Sequence, residues 1–205
     1  MNLTIDAHAV QTQPGQSLLD LVKQLGLEGK TLADQPLAAK IAGEVFTLNY
    51  IPLRDRDAQT DLPSMRRAMA ASKGQVRLLR YADAAGKACY VRTAQFTVFL
   101  AIRQLWPEAR AKMNCTLGSS VYISVSGCED FSAAALKERV ALLVGQDIPL
   151  IRRRVPLQTA VDRFTREGQR DKARLLAWRK WDYFDEYAYG EFADYYYGEM
   201  MPSTG

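Results

Sequence analysis

One histidine and three cysteines set the limits on the chemistry open to this chain. His8 stands alone near the N-terminus, so catalysis by paired imidazoles and zinc sites with two imidazole ligands are out of reach. Cys89, Cys115 and Cys128 are widely spaced and form no C-x-x-C, which leaves a structural metal without a ligand set. Their odd number argues against a disulfide framework and for a reducing cytoplasm. Cys115 has no neighbouring histidine in sequence to activate it, so a part-buried, inert thiol is expected there. His8, beside a turn, reads as a surface residue. Phosphoryl transfer would need G-x-x-x-x-G-K-[ST], whose backbone N–H groups cradle phosphates while the lysine and hydroxyl handle charge and Mg²⁺. Gly86-Lys87 has Tyr81 at the first glycine position and Ala88 in place of the hydroxyl; Gly29-Lys30-Thr31 has Gln24 at that first position. No catalytic residue and no metal ligand is assigned.

The cations offer a different chemistry. Arg152, Arg153, Arg154, Arg163, Arg166, Arg170, Lys172, Arg174, Arg179 and Lys180 face only Asp162, Glu167 and Asp171 within their stretch. The first eight are candidate contacts to the phosphates of an RNA, because lysine and arginine neutralise phosphates and release counterions. From Trp181 onward the chain has no Lys or Arg. It carries six acids (Asp182, Asp185, Glu186, Glu191, Asp194, Glu199) and nine aromatics, among them Tyr195, Tyr196 and Tyr197. The competing expectation is a solvated helix pair whose charges pair with this acidic tail folded back over it. The aromatics could stack bases; as strand residues they would instead fill a core. Three consecutive tyrosines alternate faces if extended, so at most one face can line a cleft.

The elements that must position these residues follow from periodicity. Leu3–Ile5 and Val10–Thr12 read as short strands around a turn. Ser17 caps a helix with Leu18, Leu21, Val22 and Leu25 on one face, ended by Gly26. Leu37–Ile41 and Glu44–Leu48 make a strand pair through Ala42-Gly43. Arg54–Gly74 is polar and carries Pro63, a loop or a marginal helix, and Val76–Tyr81 is a further strand. Asp83–Lys87 is expected as a polar turn marking a boundary, with Thr93 capping a helix that Pro107 stops. Val121, Ile123 and Val125 alternate along a half-buried strand. Ser132 precedes a helix over 133–144, and 158–166 and 169–180 read as two helices around Gly168.

With 205 residues, 48% hydrophobic and 24% charged, the chain can bury a core and is comfortable as two domains. A net charge of +4 says little about partners by itself. No run approaches the roughly 18–20 apolar residues of a membrane helix, and Met1–Asp6 shows neither a basic n-region nor an apolar h-region. The fold class expected is α+β, in two units: residues 1–82 and 83–205.

The first unit resembles a TGS domain, the ubiquitin-like β-grasp module. The resemblance rests on Pro14-Gly15-Gln16-Ser17-Leu18-Leu19-Asp20-Leu21 and on Pro36-Leu37-Ala38-Ala39-Lys40-Ile41-Ala42-Gly43-Glu44-Val45. The second unit looks like the second additional domain of threonyl- and alanyl-tRNA synthetases. It does so through Gln104-Leu105-Trp106-Pro107-Glu108-Ala109, the 149–164 stretch, Gly168-Gln169-Arg170-Asp171-Lys172 and the segment around Pro202. In those enzymes the domain edits mischarged tRNA through a His-x-x-x-His and a Cys-x-x-x-His motif. Aligned on Trp106-Pro107 and on Pro202, the four positions here are Arg92, Phe96, Tyr196 and Met200. None can carry a proton or bind a metal as imidazole or thiolate does.

The chain is most similar to bacterial uridine kinase-like nucleoside kinases, in which both domains precede a P-loop kinase domain. The stretches are Val76-Arg77-Leu78-Leu79, Gly86-Lys87, Tyr90-Val91-Arg92-Thr93, Asp171-Lys172-Ala173-Arg174-Leu175-Leu176, Tyr195-Tyr196-Tyr197-Gly198 and Met201-Pro202-Ser203-Thr204-Gly205. That resemblance implies a non-catalytic accessory or regulatory region, an N-terminal fragment of an ATP-binding transferase. Its partner would be a downstream kinase domain in cis; ATP and Mg would be cofactors of that domain only, and RNA or nucleotide a candidate ligand. Two alternatives stand beside it. One is an RNA-binding module using the cationic stretch. The other is an editing hydrolase with Cys115 as nucleophile or Asp185 and Glu186 as base. Arg92 is expected either to contact an anion in a vestigial cleft or to pair with a tail acid.

Overall fold

The computed structural model describes residues 1–53, 63–118 and 120–205. In chain order the elements are β1 (Asn2–Ile5), β2 (His8–Gln11), α1 (Leu18–Gln24), β3 (Ala38–Ile41), β4 (Glu44–Phe46), α2 (Pro63–Ala71), β5 (Gln75–Leu79) and α3 (Ala84–Leu105). There follow β6 (Arg110–Leu117), β7 (Ser120–Ser126), α4 (Ala133–Gly145), β8 (Ile151–Pro156), α5 (Leu157–Arg166), α6 (Arg170–Leu176), β9 (Tyr183–Tyr189) and β10 (Phe192–Asp194). The architecture is mixed α and β with separate sheets, as the α+β reading anticipated.

The first sheet has five strands in the order β2-β1-β5-β3-β4. Only β1 and β5 run parallel; the other pairs are antiparallel. Ser17 starts α1 by a reciprocal cap: its hydroxyl accepts from the Asp20 N–H, and the Asp20 carboxylate accepts from the Ser17 N–H. Those bonds hold the Asp20 carboxyl below its usual range against the modest cost of burial. The apolar stripe of α1 (Leu18, Leu21, Val22) then packs on Leu3, Ile5, Ile41, Phe46, Val76 and Leu78 as one core. Part of the polar 54–74 stretch is the helix α2; residues 54–62 lie outside the described residues.

The expected polar turn at 83–87 is instead the beginning of α3, a helix of 22 residues. The reason is contact. A Cβ on Gly86 would lie 2.1 Å from the Arg80 carbonyl oxygen, so only glycine lets the first turn of α3 close on the strand it follows. Cys89, one turn on, packs with Ala38 and Leu79 of the first sheet. Thr93 is therefore no cap: it is buried mid-helix, with its carbonyl accepting from the Thr97 hydroxyl. Trp106 ends the helix before Pro107.

The second sheet is antiparallel, β10-β9-β8. On one face α3 and α4 supply Phe96, Leu100, Ala101 and Leu143 to a core with Tyr187 and Met200. On the other, α5 and α6 supply Ala160, Phe164 and Leu176 to a core with Phe184. β6 and β7 form a two-stranded ribbon of their own, largely exposed. The two sheet-bearing units also meet directly: the Asn49 amide donates to the Leu150 and Pro202 carbonyls at 3.2 and 2.8 Å. Among the described residues no helix is long and apolar enough to cross a membrane.

Candidate functional site

Arg92 and Phe96 lie four residues apart on α3 and so point from the same helical face. The tail brings Tyr196 and Met200 to that face. Phe96 and Met200 are fully buried in one core, with the Tyr196 ring 6.2 Å and the Phe192 ring 5.2 Å from Phe96. The four positions singled out in the sequence thus converge. Three of them fill the space with hydrocarbon and rings. The Tyr196 hydroxyl is buried and has no hydrogen-bond partner among the described residues; burial, then the Asp194 charge, raise its pKa well above the usual.

Arg92 sits at the rim. Its Nη1 donates to the Glu199 backbone carbonyl at 3.0 Å, so it meets the tail at an acidic residue but not through the carboxylate. Gly198, at φ +101°, makes room for this: a Cβ there would stand 2.9 Å from Arg92 Nη2. The Glu199 carboxylate is taken by Arg152 Nη1 at 2.6 Å and by the Tyr187 hydroxyl at 3.0 Å. Tyr187 in turn accepts from the Met200 N–H, and the Thr93 hydroxyl accepts from the Met201 N–H. The tail is stitched to α3 and β9 at successive residues. Burial raises the Tyr187 phenol, as does the neighbouring Glu199. Cys89, behind this wall, is pushed up to about 11 by burial, Arg92 pulling it down and Glu199 adding to the rise. Neither group is ionised at neutral pH.

The arginine run follows from strand geometry. Along β8, Arg152 and Arg154 point to one face of the sheet and Arg153 to the other. β9 answers with Asp185 and Glu186, which alternate in the same way. Asp185 accepts from Arg152 at 3.1 Å and from Arg154 at 2.9 and 3.0 Å. Burial works against the Asp185 charge, but the Arg154 hydrogen bonds and both guanidinium charges hold its carboxyl below the usual range. The Arg154 guanidinium is raised by the same bond. Arg152 is also raised, the Glu199 and Asp185 charges outweighing its burial. On the opposite face Glu186 accepts from Arg153 Nε at 2.9 Å and contacts Arg163 Nη2 of α5 at 2.5 Å. Lys172 of α6 pairs with Asp194 at 2.5 Å.

Five of the eight candidate phosphate contacts are therefore paired with acids of the segment 185–199, as the folded-back tail would require. Most of this pairing comes from a strand, β8, that sequence reading missed behind its charge. Arg166, Arg170 and Arg174 are exposed, and none has an ion pair among the described residues. Asp185 and Glu186 are engaged by arginines, which leaves neither free as a base. Cys115 lies on the ribbon opposite Tyr122 and is exposed, not part-buried, as is most of β6. His8 is exposed beside the Asp6 carbonyl. Among the described residues no group of three or more His, Cys, Asp or Glu gathers as metal ligands.

No family model matches the chain. Among curated proteins it is similar to threonine–tRNA ligase of Desulforamulus reducens, 24% identical over 195 residues, which is 93% of this chain and 27% of the relative. The same enzyme of Syntrophomonas wolfei is 23% identical over 195 residues, with the same coverage. That of Symbiobacterium thermophilum is 25% identical over 215 residues, covering 100% of this chain and 29% of the relative. The chain spans little more than a quarter of the length of these relatives. The similarity runs along nearly the whole of this chain and is to threonine–tRNA ligases.

Proposed function

We propose that this chain is a catalytically silent accessory module built from a TGS-like domain and a second additional domain. What supports this reading is the convergence of Arg92, Phe96, Tyr196 and Met200, of which the last three fill the space between α3 and the tail with hydrocarbon and rings. The sheet order 2-1-5-3-4 with a helix after the first hairpin supports the β-grasp assignment of the first unit. Similarity to threonine–tRNA ligases across the chain supports the pairing of the two domains. The three free cysteines fit a cytoplasmic setting. That the module serves a uridine kinase-like nucleoside kinase, supplying position or regulation to a kinase domain, rests on the sequence resemblance described above.

The test is release of amino acid from mischarged tRNA. Rates equal to buffer are expected. Hydrolysis abolished by changes in the cleft, such as Arg92→Ala or Met200→Ala, would overturn the reading. For the kinase association, removing the module from the parent protein should alter turnover, regulation or oligomeric state.

A second reading, RNA binding, is favoured by one observation: Arg166, Arg170 and Arg174 remain exposed and without ion pairs among the described residues. It predicts affinity for tRNA that falls steeply with salt and weakens when these three are replaced. A flat titration at low salt would remove it.

A further inference from the structure

The two strands of the β6–β7 ribbon differ at their outer edges. As a two-stranded sheet, the ribbon leaves one row of backbone N–H and C=O groups on each strand without a strand partner among the described residues. Such an edge is a template for another strand unless something blunts it. β6 is blunted twice: Arg110 and Lys112 put charge on it, and the register shifts between Met113 and Cys115. β7 reads Ser-Val-Tyr-Ile-Ser-Val-Ser, with no charge, no proline, no glycine and three β-branched apolar residues. It has none of these protections and every preference for a sheet.

The ribbon is also incomplete as a layer. By register Val121, Ile123 and Val125 share a face with Thr116, Met113 and Ala111. Ser120, Tyr122, Ser124 and Ser126 share the other face with Leu117, Cys115, Lys112 and Arg110. The first face carries no charge. None of its six residues is fully buried, and none enters a hydrophobic core among the described residues. Two strands alone are marginal in water, whereas further strands that extend the apolar face support one another.

We propose that β7 pairs antiparallel with β7 of a second copy of this chain, making one four-stranded sheet across a two-fold axis at Ile123. The sequence is self-complementary in that register. With Ile123 opposite its own mate, Val121 lies opposite the partner's Val125, Tyr122 opposite the partner's Ser124 and Ser120 opposite the partner's Ser126. Apolar meets apolar on one face, polar meets polar on the other, and the whole of β7 is paired. A slip of one residue would set every apolar side chain against a polar one. The uncharged strand meets its copy without repulsion, and it offers no cation to a nucleic acid. So short an edge buries less than a stable interface requires, so the dimer is weak and concentration-dependent. The pairing is independent of the silent cleft and of RNA binding.

Sedimentation velocity of the whole chain, up to roughly 0.5 mM, should show a shift from monomer toward dimer. Ile123→Lys sets two like charges directly opposite each other and should hold the chain monomeric; Ile123→Glu should do the same. Mixed in equal amounts, the two variants should form a heterodimer, which shows that each is folded and lacks only a compatible mate. A second readout fixes the register, in a background of Cys115→Ser with Cys128→Ser and the buried Cys89 left in place. Mild oxidation should link Ile123→Cys to its mate, since paired Cα atoms lie about 4.5–5.5 Å apart, within disulfide reach. Val121→Cys should link at least about tenfold more slowly, its mates standing roughly 14 Å apart. A parent chain that stays monomeric at every concentration overturns the proposal. So does a dimer that Ile123→Lys leaves unchanged, or equal cross-linking at 121 and 123, because the contact would then lie elsewhere or in another register.

Discussion

Replacing Glu186 by glutamine should be among the most damaging single changes in the second unit. The Glu186 side chain is 0% exposed and meets two guanidiniums, one of which, Arg163, is only 12% exposed. The glutamine amide would keep the shape and remove the charge, leaving the Arg163 cation buried without compensation. Breaking such a pair costs about 3–5 kcal/mol. Arg153 is 47% exposed and can turn to water, so the lower end applies: about 3 kcal/mol. For a chain of this length that is a fall of roughly 6–12 °C in Tm. The native pair is itself imperfect, since Arg163 Nε and Nη2 and Glu186 Oε2 are buried without an aligned hydrogen bond among the described residues. A double variant, Arg163→Met with Glu186→Leu, should therefore recover most of the loss or exceed the parent, because it removes both charges together. Urea denaturation of the parent, the single and the double variant measures this. A Glu186→Gln variant within about 0.5 kcal/mol of the parent would refute the argument. So would a double variant no better than the single, because the loss would then be one of packing rather than of an unpaired charge.

Three other outcomes follow from the contacts described. Gly86→Ala should cost at least about 2 kcal/mol, because the added methyl meets the Arg80 carbonyl rather than a side chain able to move; calorimetry should show a Tm lower by several degrees. Asp185 has a folded pKa below its unfolded value of about 3.9. Its contribution is complete above roughly pH 5 and lost as pH falls through the folded value, so Asp185→Asn should flatten the fall in Tm between pH 5 and 3. An unchanged acid limb would mean that the arginine ladder adds nothing through this group. Asn49→Ala removes both donor contacts to Leu150 and Pro202 and should lower stability by about 1–2 kcal/mol. Asn49→Asp should be worse in urea melts, since it turns a lone pair toward two carbonyls.

Much of the first sheet was legible because its signals are local. Ser17 followed by Asp20, the 18-21-22-25 stripe and the Ala42-Gly43 turn each act within a few residues, and each stands where it was read. What failed depended on distant partners. Gly86 beside polar neighbours reads as a turn; only the approach of the Arg80 carbonyl turns it into the third residue of a helix. Arg152–Arg154 read as one charged face, whereas a strand sends the middle residue through the sheet. The adjacent Asp185 and Glu186 held the matching signal: two acids of opposite parity opposite a run of three cations. The convergence of Arg92, Phe96, Tyr196 and Met200 came from family spacing. The tail's real anchors, Glu199 and Tyr187, carried no local mark at all.

Those anchors bear on how the molecule is made. Residues 199–204 supply the Pro202 carbonyl to Leu150 and Asn49, and the Thr204 hydroxyl to Ile148 and Leu143. Their partners stand up to 153 positions earlier in the chain. A helix-rich unit would ordinarily assemble quickly from near neighbours. This one closes its second core only when residues 199–204, near the end of the sequence, reach partners laid down long before them.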